Sequence, residues 1–412
     1  MQRVTFGSIL IALSLAGCHR STHIVWSPEA AMDHQFFPAL IIATASVRPV
    51  DDEDEETQKP DPYLLGDKFG LLGVSLQTSE PNTRVTVKVR ENDVMAASSW
   101  SGVLTVPNHV YYIAPKLNYK FDHLRKVTQQ VPLNVDFEVQ VNGQSLGDKA
   151  ETLQVRSIND CPYGVSNSEE TVDDENIEGG SADLGWMFAA YVNENHPFLD
   201  KILQEALATR LVDAFDGYQA NDPADVVKQV FAIWTAVQKH GLKYSSVTEV
   251  PGGSSLVNSQ FVRFLDQSVT NTQANCVDGS VLFASLLRKV GIDPFLVAVP
   301  GHMYVGFYLD QNDDEEERQF VGLETTVIGA PDLGETDEDV PEALANLSEQ
   351  LNDTTLGSRA WKTFAAAVTI ASDDLDEKED QFDVGDPEFQ TINIAEARNS
   401  GIMPIAFDQS AR

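Results

Sequence analysis

Residues 275–310 read NCVDGSVLFASLLRKVGIDPFLVAVPGHMYVGFYLD, and residues 318–327 follow as RQFVGLETTV. Phe283, Leu286, Leu287 and Val290 recur at helical spacing, Arg288 and Lys289 fall in the last turn, and Gly291 follows as a carboxyl-terminal cap. The spacing therefore places Cys276 at the amino terminus of a helix. Unpaired backbone N–H groups and the positive end of the helix dipole favour a thiolate over a thiol there. After the cap, Phe295–Val299 reads as a buried strand, and Pro300-Gly301 turns the chain into a second strand from His302. Met303, Val305, Phe307 and Leu309 form its apolar face, with His302, Tyr304, Gly306 and Tyr308 on the other. The acidic stretch Asp310–Glu317 returns the chain as an antiparallel partner, FVGLETTV. If Tyr308 lies beside Phe320, His302 and Glu324 come within about two residues of being opposite, which long side chains can span. A carboxylate there can accept the imidazole N–H and stabilise imidazolium, the orienting role in a nucleophile–base–acid triad.

A cysteine at a helix start, a histidine on the next strand but one and an acid on the adjoining strand, in the order Cys276, His302, Glu324, resembles the transglutaminase-like superfamily of the papain-type thiol fold. The compact order separates this pattern from papain-type proteases, whose histidine lies some 130 to 150 residues downstream of the cysteine. The family usually carries Asp in an Asp-x-Thr context as its third residue. Here Leu323-Glu324-Thr325-Thr326 stands at that position, one methylene longer. Tyr244-Ser245-Ser246 and Ser259-Gln260 resemble segments that precede the nucleophile in bacterial relatives. Gln260 and Gln273 are candidates to polarise a carbonyl, with a plain surface role as the alternative, and neither is assigned to the site.

The resemblance implies an α+β thiol enzyme acting on amide bonds of proteins or peptides: Cys276 attacks, His302 carries protons, Glu324 orients His302, and an acyl-enzyme forms. By resemblance, hydrolysis is favoured over amine transfer, and no metal or organic cofactor is implied. The alternative is a non-catalytic module that uses the same fold for binding or assembly, because fold does not fix function.

Upstream, Thr83–Arg90 alternates valines with Arg84, Thr86, Lys88 and Arg90, the period-2 mark of a half-buried strand. Leu133, Val135, Phe137, Val139 and Val141 repeat it into Asn142-Gly143, a type I′ hairpin dipeptide. Ala39–Ala45, Phe69–Leu76 and His109–Ile113 are further candidate strands. Short strands with turn signals predict a β-sandwich over residues 24–160, for which an immunoglobulin-like arrangement is one form. It is followed by the transglutaminase-like catalytic domain over 181–330, with the acidic run Ser168–Gly180 as boundary. Val227, Val230, Phe231, Trp234 and Val237 form a core stripe on a helix between Ala224 and His240. Residues 331–412 are expected as a helical, acidic extension, with helices around Ala343–Leu351, Arg359–Ala371 and Ile392–Arg398.

The amino-terminal MQRVTFGSILIALSLAGC has one basic residue, Arg3, and an uncharged run too short to span a membrane, so residues 1–18 read as a signal peptide. Leu15-Ala16-Gly17-Cys18 resembles the lipobox of bacterial lipoproteins, which implies lipidation of Cys18 and export to the cell membrane or outer membrane, facing periplasm or exterior.

The chain of 412 residues is 42% hydrophobic and so can bury real cores. Its 63 Asp plus Glu against 28 Lys plus Arg leave a net charge of −35, which excludes the basic surface that nucleic acid or an anionic membrane needs. Membrane contact is expected through the lipid anchor alone. The acidic runs Asp51–Glu56, Ser168–Gly180, Asp310–Glu317, Asp332–Val340 and Asp373–Glu388 read as solvated loops. The run from Asp310 fails as an EF-hand, since Glu315 and Val321 stand where Gly and Glu are required. Three cysteines make no disulfide framework. Cys161 in SINDCPYG is expected as a buried, inert thiol, and the other histidines, His196 among them, as structural or exposed.

Overall fold

Alternation in the first third of the chain becomes sheet. In a computed structural model describing residues 24–47, 61–67, 70–166, 182–245, 253–312, 318–330, 340–386 and 388–405, Thr83–Val89 and Val131–Val141 pair antiparallel. Val85, Val87, Val89, Val135, Phe137 and Val139 are buried, while Arg84, Asp136 and Asn134 face out. The 1–18 segment expected as a signal peptide, the acidic runs 51–56 and 168–180, and most of those at 310–317 and 332–340 lie outside the described residues. Val131–Val141 and Gln144–Val155 are joined at Asn142 (φ 49°) and Gly143 (φ 82°). Both residues adopt the left-handed conformation that a type I′ turn demands.

These strands belong to a five-stranded sheet in the order Gln35–Phe36, Gln144–Val155, Val131–Val141, Thr83–Val89, Ser98–Leu104. A four-stranded sheet runs Ile24–Ala30, Leu72–Thr78, Val110–Ala114, Leu64–Gly66, and buried side chains of both sheets share one core. The 39–45 segment is not a strand. It forms the helix Pro38–Ala43, buried throughout, with proline at its first position. A short apolar run has no period that separates a strand from a buried helix, and Pro38 there needs no N–H partner.

Beyond residue 155 the chain turns to a mixed α+β arrangement. Asp160–Val165 pairs with Val257–Phe261, and the helix Pro223–Lys239 buries Val227, Val230, Phe231, Trp234 and Val237 as its periodicity predicts. The sheet that carries the candidate site is antiparallel throughout, in the order Phe320–Leu323, His302–Tyr308, Pro294–Val299, Gln390–Asn393. The helix Cys276–Lys289 packs on the Met303 and Val305 side, where Ser280 also approaches the Met303 carbonyl.

The opposite side, expected to be the less apolar one, is buried at its centre, with His302 and Tyr308 part-buried at its ends: Tyr304 is 1% exposed and packs with Phe295, Val297, Ala371 and Leu375. Its cover is the helix Arg359–Glu377, supplied from far along the chain, which is why alternation within the strand alone suggested a wetter face. At Gly322 a Cβ would lie 2.6 Å from backbone and side-chain atoms of Ala371, so glycine sets the approach of this helix to the strand.

The tail folds into the same body. Helices Glu342–Gln350, Arg359–Glu377 and Ile394–Asn399 occupy the three expected stretches, the acidic run from Asp373, expected as a loop, is helical to Glu377 and again over Glu379–Asp383, and Gln390–Asn393 completes the site sheet. Met403 N–H donates to the Ala43 carbonyl at 3.0 Å and Ile405 N–H to that of Ala190 at 2.8 Å. Among the described residues no helix is long and apolar enough to cross a membrane.

Candidate active site

The nucleophile helix begins with a reciprocal cap. Asn275 Oδ1 accepts from the Asp278 N–H at 2.8 Å, and Asp278 Oδ2 accepts from the Asn275 N–H at 3.0 Å. Cys276 is thereby the first helical residue, where backbone N–H groups have no intrahelical acceptor. At Gly279 a Cβ would meet Thr325 Oγ1 at 2.4 Å. Glycine thus lets this first turn close against the Thr325–Gly329 turn that follows Glu324.

Strand pairing brings the other two residues in. Tyr308 pairs with Phe320 and Val305 with Leu323, the register that was the condition for bringing His302 near Glu324. Glu324 follows Leu323 directly, and its Oε2 lies 2.6 Å from His302 Nε2. Its other oxygen, Oε1, accepts from the Thr326 N–H at 2.8 Å and the Thr326 hydroxyl at 2.6 Å. The extra methylene relative to Asp is absorbed because Glu324 is the cap of the 3-10 turn: one oxygen folds back onto Thr326 and the other reaches the imidazole. The Glu324 N–H donates to the Ala367 carbonyl at 2.9 Å, which ties the carboxylate to the covering helix.

Cys276 is 7% exposed and a free thiol within hydrogen-bonding reach of the His302 ring. With Nε2 committed to Glu324, Nδ1 is the nitrogen left for the sulfur. The His302 pKa is pushed up to about 10, first by the hydrogen bond with Cys276, then by the hydrogen bond and charge of Glu324, against partial burial. The raised value favours the imidazolium at neutral pH, with Glu324 as its charged partner.

Tyr244, half exposed, ends the short strand Lys243–Tyr244, which pairs in parallel with Gln273–Ala274; Ser245 N–H donates to the Ala274 carbonyl at 2.9 Å. Its phenol pKa is raised, first by desolvation and then by the neighbouring Cys276 and Glu324 side chains. In the sequence, only the resemblance of Tyr244-Ser245-Ser246 to segments preceding the nucleophile marks this residue. Gln273 is exposed on that same strand pair, and Gln260 lies opposite Cys161. Among the described residues neither glutamine hydrogen-bonds to Cys276, His302 or Glu324.

Two further residues stand behind the nucleophile, where no local pattern announces them. Asp278, fully buried, accepts from Arg263 N–H at 2.7 Å and from Arg263 Nη1 at 2.6 Å. Cys161 is fully buried and free, and burial holds its thiol well above the usual range. His196 is buried, its Nδ1 accepting from the Phe198 N–H at 3.2 Å. Among the described residues no group of three or more His, Cys, Asp and Glu side chains is gathered to hold a metal ion.

In comparisons with known proteins, no family model matches this chain and no curated protein matches it. What the site can do chemically rests on its own geometry: a thiol at a helix start, an imidazole beside it and a buried carboxylate hydrogen-bonded to that imidazole.

Proposed function

We propose that the chain is a thiol enzyme of the transglutaminase-like type, exported as a bacterial lipoprotein anchored through Cys18, that cleaves amide bonds of proteins or peptides at the cell envelope. In this reading residues 24–160 are a β-sandwich that serves recognition or spacing, and residues 181–330 are the papain-type catalytic domain, completed by strand Gln390–Asn393 and helix Arg359–Glu377. The observation that carries the reading is the 2.6 Å contact of His302 with Glu324 on one side of the ring and Cys276 on the other.

The Cys276 thiolate attacks the amide carbonyl, and the negative charge passes to the carbonyl oxygen, which the Cys276 N–H at the helix start is placed to receive. Collapse of the adduct breaks the C–N bond. The leaving amine takes the proton of His302, and a thioester remains on Cys276. His302, now neutral, removes a proton from water as it attacks the thioester; the acid departs and the thiolate–imidazolium pair is restored. Glu324 keeps the ring in place and offsets its charge through both halves of the cycle.

The test is labelling with iodoacetamide near pH 7 followed by peptide mapping, together with mass measurement of the intact protein during turnover of a peptide amide. Wild type is expected to label at Cys276 faster than free glutathione and to show a transient thioester, both lost in Cys276→Ala. If Cys276 reacts no faster than glutathione, or if Cys276→Ala retains full cellular function, the enzymatic reading is wrong and a binding module takes its place.

A further inference from the structure

The ion pair beneath the nucleophile has no part in the proton transfers above, yet it lies two residues from the sulfur and out of water. Asp278 caps the turn that carries Cys276, because its carboxylate receives the Asn275 N–H, but it also brings a carboxylate into the first turn of the helix that would carry a thiolate. In a buried setting that charge opposes thiolate formation. Arg263, in the short link between strand Val257–Phe261 and helix Leu265–Thr270, meets it with a backbone N–H and a guanidinium nitrogen. The Asp278 side chain is 0% exposed and that of Arg263 14%.

We propose that Arg263 and Asp278 are a charge-cancelling positioning pair: Asp278 fixes the helix start under Cys276, and Arg263 removes the electrostatic penalty that this fixing would impose on the thiolate. The inference rests on Cys276 being the nucleophile. Among the described residues, the other titratable groups near the sulfur are His302 from the central strand, Glu324 from the adjoining turn and Tyr244 from the short parallel strand. All three are left intact in the variants below. Burial pushes the Asp278 carboxyl upward while Arg263 and the two N–H donors pull it down, which fits a carboxylate whose ionisation depends on its partner.

The pair predicts opposite signs for its two halves. Asp278→Asn keeps the size and an acceptor for the cap but leaves Arg263 positive beside the sulfur, so the pH of half-maximal labelling by neutral iodoacetamide is expected to fall by about one unit, a tenfold gain in the thiolate-to-thiol ratio below that pH. Arg263→Gln leaves an unpaired carboxylate, and the midpoint is expected to rise by about one unit. The double variant returns to within about 0.3 units of wild type, and Arg263→Lys stays near wild type. A purely structural role would lower reactivity in all of them without opposite midpoint shifts. The inference is overturned if Asp278→Asn fails to lower the midpoint in a protein whose wild-type Cys276 outpaces glutathione, or if both single variants shift it the same way. Should Arg263→Gln not fold, Asp278→Asn against Arg263→Lys decides the matter alone. A wild-type Cys276 no faster than glutathione would instead sink the enzymatic reading, so the two failures are distinct.

Discussion

The two amino-terminal sheets and the sheet that holds His302 are built on different terms. In the first region the strand Thr83–Val89 alternates buried valines with Arg84 and Lys88, one side packed and the other solvated. In the second, His302–Tyr308 is buried on both sides, by the helix Cys276–Lys289 and by Arg359–Glu377. A one-sided strand needs only its own pattern and a near neighbour. A two-sided one needs partners from distant stretches of chain, and here those partners also hold the candidate triad, since Glu324 is tied to Ala367.

The sharpest way to break this contrast is to hollow out the covering helix. Phe364, fully buried against Phe231, Trp234 and Trp361, should cost about 3–5 kcal/mol when replaced by Ala, read by urea unfolding, with a parallel loss of Cys276 labelling. Val87→Ala in the amino-terminal sheet should cost about 2 kcal/mol. Per folded molecule it should leave Cys276 labelling unchanged, and a change would mean that the two regions are coupled more tightly than their separate construction implies.

A third measurement isolates charge from packing. The His302 pKa is raised above its ordinary 6.5, so its stabilising contribution is complete below that pH and is lost as pH rises through about 10. Alkylation by anionic iodoacetate, which the imidazolium attracts, should therefore persist to about pH 10 in wild type. In Glu324→Gln one charged acceptor is gone, and the rate at pH 9 should drop roughly tenfold as the alkaline limb moves down. An unmoved limb would show that Glu324 does not hold the ring's charge. The smallest effect belongs to the hairpin: Asn142→Ala, at φ 49°, should cost about 0.5–1 kcal/mol with no change at the site.

What sequence could show follows the same division. The type I′ turn at Asn142-Gly143, the stripe around Trp234, the Cys276 helix and the Tyr308–Phe320 register are local or one hairpin long, and each is legible in periodicity and turn chemistry. The Pro38–Ala43 helix was misread as a strand because six buried apolar residues carry no period. Arg263 meeting Asp278 and the burial of Tyr304 under Ala371 and Leu375 were not legible. Nothing in the neighbouring residues marks such pairings, which exist only once separate segments have docked.

Gln390–Asn393 pairs with Phe295–Ala298 across a long stretch of chain. Until those last residues emerge, the strand that neighbours His302 has an open edge, and closing so distant a contact is slow because the loop entropy must be paid first. The order of synthesis thus becomes a timer: until Gln390–Asn393 has been made and has docked, the sheet beneath His302 is unfinished.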